Sequence, residues 1–469
     1  MKDLVKATYG PVAALSTMAA LVLLALFGIV EQFAPGPLAA AGGRAAFVLL
    51  CLSSLHRAGT RELTIVAISL VLAGALWYRD GNLRAIADGL DKAAFFAAFI
   101  YLVTLLKEAA QLSSSVLRLG RYLTGQPSGR RYYSLAFGGH MLGILLNFGA
   151  ISLLTPLIQR GAREIRDPVL AANQERQQIS ALIRGFSWIL LWSPTALTQV
   201  VISSSFPAAN SFHVFWLGVA SAVMFMLLGR VCDRIEWPKS TLPVRHEAQP
   251  FPATAAKRFS FVCAVLVAAT IATMLAAGVS AAIALMLVSP VMTVLWLVAQ
   301  NGRLRPALVQ LGTIWSASAP SLASIAITLG LAGFIGHAAA LLVPAGPLAA
   351  ALERLDLPGW CVLVTLPVII TLFGQVAISP LVIVVFLASL LNQLHPLPAD
   401  PVLVCYTLAV GWSLSMTLSP NASATLLISG VTRIPPTTLT WRWNGAYGLA
   451  AYSVFAALIF LLATFWPGG

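Results

Sequence analysis

The chain has 469 residues, of which 59% are hydrophobic and only 10% are charged. A soluble globular chain is about a quarter charged, so lipid is the solvent that accepts this composition. The net charge of +13 does not mark a nucleic-acid partner, because the basic residues sit in short loops between apolar runs and no segment is long enough to fold a basic soluble face.

In lipid every backbone polar group must be bonded within its own segment, so the apolar runs are helices. The alternation of barrel strands is absent. The first run, 12–30, follows Lys2 and Lys6. It is too long for the apolar core of a signal peptide and is read as a retained helix. Further spans are expected at 38–55, 64–78 and 93–106, the second interrupted by Gly42, Gly43 and Arg44.

The apolar stretch 132–158 lies between two basic loops, 107–131 and 159–184. Both belong on the cytoplasmic side by their arginines, which a single crossing cannot satisfy. A re-entrant hairpin with its tip near Asn147 and Gly149 can. Spans 186–206 and 211–229 return the chain to the inside at the basic loop 230–258, which includes Lys239 and Arg245. Spans 259–278, 281–299 and 313–334 follow, then an amphipathic piece at 338–356. Stretch 358–392 is too long for one helix and holds Gly374 and Pro380, which suits a second hairpin entering from outside. Spans 402–427 and 443–466 complete the chain. The expectation is an all-α polytopic protein of about 11–13 spanning helices, multi-pass in a bacterial inner membrane, with its N-terminus in the cytoplasm.

Regions 93–229 and 313–469 share one order of elements with every side reversed, as in transporters built from inverted repeats. The expected domains are therefore N-terminal helices (1–92), repeat 1 (93–229), a cytoplasmic loop with linking helices (230–312), and repeat 2 (313–469). A second signal is internal similarity. SWILLWSPTALTQVVISS at 187–204 and SLSMTLSPNASATLLISG at 413–430 align without gaps, with six identities in 18 positions. The central Ser-Pro is shared.

Pro194 and Pro420 each remove a backbone donor mid-helix, and in lipid the freed carbonyls need a partner. Broken helices expose half-helix N-termini that favour an anion, and carbonyls that can ligate a small cation. Candidate binding residues are Ser193, Thr195, Thr198 and Gln199 at the first break, and Ser419, Asn421, Ser423 and Thr425 at the second. The hairpins add Asn147, Gly149, Gln375 and Ser379, and His140 is a candidate proton carrier. No Asp or Glu falls mid-span in this reading, so coupling would rest on neutral oxygens, backbone carbonyls or His140. The five cysteines are scattered singly, and no nucleotide, zinc-protease or nucleophile-elbow motif is present.

The layout, with its Ser193-Pro194 and Ser419-Pro420 breaks, resembles the ion transporter superfamily, particularly the divalent anion–sodium symporters. The resemblance covers 93 to the end. The hairpin tips depart from the family's Ser-Asn-Thr: Asn147-Phe148-Gly149 and Ile378-Ser379-Pro380 stand there instead. It implies a homodimer, an elevator motion of the hairpins, and a small anionic solute moved with Na+ or H+. No cofactor is expected, nor an enzymatic activity. The rival expectation is a non-transporting integral-membrane subunit of an envelope assembly.

Overall fold

A computed structural model describes residues 10–81, 83–111, 113–237, 250–394 and 397–465. Lys2, Lys6, Lys239 and Arg245 lie outside these. Every regular element among the described residues is helical. Ten helices there are long and apolar enough to cross a membrane, and two shorter apolar helices, Gly359–Gln375 and Pro380–Leu391, accompany them. The chain is an all-α polytopic membrane protein.

Two compact bodies divide it. The first draws on Met1–Ala109, Leu266–Pro344 and Val385–Leu390. Its helices are α1 (Gly10–Phe33), α2 (Pro37–Ser54), α3 (Thr60–Asp80), α4 (Leu83–Gln111), the end of α11 (Ala253–Ala277), α12 (Ala281–Asn301) and α13 (Leu304–Leu342). Helix α2 is continuous through Gly42 and Arg44 because Arg44 has a partner. Its Nε and Nη2 donate to both oxygens of Asp91 at 2.7 and 3.0 Å. Asp91 lies in the first third of α4, which begins at Leu83, ten residues before the apolar run starts. Residues 313–334 are likewise only the middle of α13.

The second body draws on Ala110–Val265, Ala345–Val384 and Leu391–Gly469. It opens with α5 (Ser114–Thr124), a helix where the sequence suggested only a loop. Ser113 caps it by accepting from Ser115 N, and Val116, Leu119 and Gly120 are buried while Arg118 and Arg121 face out. Helices α6 (Ser128–Leu146) and α7 (Phe148–Arg163) pack together as the first hairpin.

Helix α8 starts at Pro168, not near 186, because Asp167 caps it through Val169 N and Leu170 N and proline suits its first position. A 3-10 turn (Ser187–Leu191), an irregular stretch and α9 (Leu197–Ser205) continue it, followed by α10 (Ser211–Glu236). Then come α14 (Ala345–Leu355), α15 (Gly359–Gln375), α16 (Pro380–Leu391), whose Val385–Leu390 counts with the first body, α17 (Pro401–Leu418), α18 (Ser423–Thr432), a π-turn (Thr438–Arg442) and α19 (Trp443–Phe465). Residues of Pro401–Thr432 are 94% buried in their apolar window, against 17% for Ala253–Ala277. The broken helix is thus central and α11 presents its apolar side outward.

Helices gain no hydrophobic drive from meeting each other in lipid, so close packing through small residues must hold them. A Cβ at Gly185 of α8 would lie 2.1 Å from the Ala136 carbonyl oxygen of α6. A Cβ at Gly411 of α17 would lie 2.4 Å from Ile370 Cδ1 and 2.9 Å from Pro367 Cα of α15. Both glycines stand 226 positions apart, the same offset as the two Ser-Pro pairs. Each lets a broken helix touch the first arm of its own half's hairpin.

Candidate functional site

Each hairpin tip carries a non-glycine residue at positive φ: Asn147 at φ 49° and Ala377 at φ 65°. Asn147, with ψ −130°, lies outside the left-handed helical well that asparagine tolerates, and strained backbones of this kind cost about 1 kcal/mol or more. The first tip is closed by Asn147 N donating to Gly143 O at 2.7 Å and Ala150 N to Asn147 O at 3.0 Å.

At the first break Pro194 offers no donor, and the chain leaves the 3-10 turn with Ser193 N bonded to Ile189 O at 3.0 Å. Thr195 Oγ1 donates to Ile144 O near the hairpin tip at 2.6 Å. Ser193 Oγ lies 2.8 Å from Thr195 Oγ1. Since the Thr195 proton is committed to Ile144, Ser193 is the donor of that pair. Gln199 Nε2 caps Leu190 O at 2.8 Å.

His140 is buried. Its Nδ1 lies 2.8 Å from Gly185 O, and its Nε2 accepts from Trp192 Nε1 at 3.0 Å. A carbonyl can only accept, so Nδ1 carries the proton. Both nitrogens are occupied.

The second break repeats this arrangement against its own hairpin. Ser419 Oγ donates to Gly374 O at 2.6 Å. Asn421 Nδ2 reaches Gly374 O at 3.1 Å and Gln375 O at 2.9 Å. Thr195 and Asn421 both stand two residues after the serine of their Ser-Pro pair. In each half, then, the same position fastens the broken helix to the hairpin tip.

The halves also exchange bonds. Gln159 on α7 donates to Val431 O at 3.4 Å, and Asn392, just past α16, donates to Ser205 O at 2.8 Å. The two acceptors again differ by 226 positions. The breaks approach each other because α17 packs on the 3-10 turn.

The half-helices α9 and α18 begin at Ala196 and Ala422, which have no side chain to cap them. The hydroxyls of Thr198 and Thr425, in those first turns, are fully buried and find no hydrogen-bond partner among the described residues. Ser193, Thr195, Thr198 and Gly149 are buried, whereas Asn421 and Ser423 are exposed. Ser379 and Asn147 sit at the tips, half-buried, away from the break side chains in the bonding pattern.

Sequence reasoning missed the ion-pair network beside the first break. Arg184, 1% exposed in its side chain, donates to Glu236 Oε1 at 2.7 Å, Asn444 Oδ1 at 2.8 Å and Trp443 O at 2.9 Å. It also missed Trp441, which donates to Gln375 Oε1 at 3.0 Å. Each partner is remote in sequence, so no local pattern announced it.

No protein-family model matches the chain, and no curated protein matches it. Solved structures do. The YdaH transporter of Alcanivorax borkumensis, described as having an unusual topology, superposes with a TM-score of 0.57 at 17% identity, over 91% of this chain and 99% of that one. MtrF of Neisseria gonorrhoeae, described within a class of antimetabolite efflux pumps, gives 0.51 at 14% identity, over 86% of this chain and 96% of that one. The chain therefore shares its fold, along nearly its whole described length, with two membrane transporters.

Proposed function

We propose that the protein is a secondary active transporter of a small anionic organic solute, built as two inverted repeats and working as a homodimer in the bacterial inner membrane. The carrying observation is the repeated fastening of each broken helix to its own hairpin tip, through Thr195 in one half and Asn421 in the other. A subunit that only packs has no use for two such matched clasps. The solved transporters of the same fold support the reading.

Two uncapped half-helix N-termini, each with an unpartnered buried threonine, offer donors and positive dipole ends to an anion. Carbonyls freed at the breaks suit Na+; the alternative coupling ion is H+. In that case His140 takes a second proton on Nε2, which expels the Trp192 donor and shifts the residue next to Ser193. The hairpins then carry the solute as an elevator.

The test is thermal unfolding of the purified full-length protein with a panel of mono- and dicarboxylates, followed by uptake into proteoliposomes. A stabilising carboxylate should be transported by the wild type, and Asn421→Ala should abolish uptake while leaving the unassisted melting temperature within a few degrees. Uptake retained by Asn421→Ala removes the site assignment. No stabilisation by any anion removes the solute class.

A further inference from the structure

We propose that Trp441 is the positioning residue of the second hairpin: its indole N–H, donated to Gln375, holds that tip over the second break, and removing the donor releases the tip. The proposal rests on the reading above, in which the hairpins carry the solute.

Trp441 belongs to a π-turn, a wide form of helix that is rare and recurs at functional sites. The sequence forces it. Arg433 ends α18 in the left-handed region, at φ 63°, and Pro435 and Pro436 cannot donate to a regular ladder. Side chains then occupy carbonyls that the wide turn leaves open. Thr440 Oγ1 donates to Pro436 O at 2.9 Å, Asn444 Nδ2 to Leu439 O at 2.7 Å, and Arg184 to Trp443 O at 2.9 Å. Leu439 and Thr440 are fully buried, while Trp441 is 56% exposed. One side of the turn is anchored, and the other side holds out the indole.

Gln375 is oriented to receive it. Its Nε2 donates to Thr371 O at 3.0 Å, which turns Oε1 toward the indole. The next residues include strained Ala377. Ser419 and Asn421 hold the backbone of this tip from the broken helix itself. Trp441 holds it from a different element, beyond α18.

The first half has no equivalent. The residue 226 positions before Trp441 is Phe215, an aromatic ring with no N–H, which stands perpendicular to Trp192 with the ring centres 5.8 Å apart. The two hairpins are therefore held unequally, and the second has the added latch.

The experiment uses the full-length protein with its five native cysteines replaced and a single cysteine introduced by Ala377→Cys. Maleimide modification is timed in proteoliposomes. Trp441→Phe keeps the ring and removes one neutral hydrogen bond, so the rate at position 377 should rise about five-fold. Gln375→Met should give the same rise, and the two together no more than either alone. Trp441→His, which keeps a ring N–H, should restore the slow rate. A reporter placed by Asn147→Cys should not change with Trp441→Phe.

An unchanged rate at 377 overturns the proposal, as does additivity of the two variants. A parallel rise at 147 would show general loosening and overturns it too. Accessibility is read without any solute, so failure of the latch and failure of the transport reading are separate results.

Discussion

Thr195 has one hydroxyl proton and gives it to Ile144 O inside the protein. Thr195→Val keeps the shape but orphans that carbonyl and frees Ser193 of its acceptor. Buried unpaired groups of this kind cost about 1–3 kcal/mol, so the detergent-solubilised protein should unfold several degrees lower, and Thr195→Ser should recover most of the loss. Arg184 poses the same question with a full charge. Its guanidinium is shared among Glu236, Asn444 and Trp443 O, with the Tyr447 ring 5.0 Å away. Glu236→Gln leaves that cation without its counter-charge. The expected loss is about 3 kcal/mol, read as a lower denaturation midpoint, whereas Arg176→Gln, whose nitrogen is 4.0 Å from Glu236 and more open to solvent, should change little.

At the level of elements, the prolines and glycines divide the labour. Pro194→Ala and Pro420→Ala give each broken helix back a donor. The protein should be recovered in normal yield, and uptake should fall tenfold or more because the uncapped N-termini of α9 and α18 close up. Gly185→Ala should act differently and reduce the yield of monodisperse protein, since its Cβ would meet backbone. Gly411→Ala should be milder, because the nearest atom there is the movable end of Ile370.

The sequence made the hairpin tip at Asn147 and both Ser-Pro breaks legible, because glycine, proline and loop charge act locally. Helix α5 was hidden, since its apolar face has only Val116 and Leu119 amid arginines and looks like a loop until α7 covers it. The polar first half of α8 was hidden for the same reason: Gln174 and Gln178 are buried against other helices, not exposed as their type suggests. Asp91 escaped notice because its meaning depends on Arg44, 47 residues away.

For the molecule as a whole, the testable matter is sidedness. On a background lacking the five native cysteines, position 147 should react with impermeant thiol reagents only from the cytoplasm, and position 379 only from outside. Labelling of both from one side would break the inverted repeat and move the packing-subunit reading ahead. Lipid contact is the other expectation at this scale. Leu70, Val71 and Leu275 are 68%, 71% and 81% exposed on apolar helices long enough to span, and substituting Leu70, at the middle of α3, by Asp should lower membrane insertion by several-fold in expression assays.

The contact of Gly185 with Ala136 joins backbone to backbone with no side chain between, whereas its counterpart at Gly411 meets the Ile370 side chain before the Pro367 backbone. A joint of the first kind has no rotamers and no slack. The first arm of the first hairpin is therefore keyed to its broken helix and cannot slide along it. In the proposed transport cycle that arm, its broken helix and the tip that Thr195 fastens to it move together as one piece.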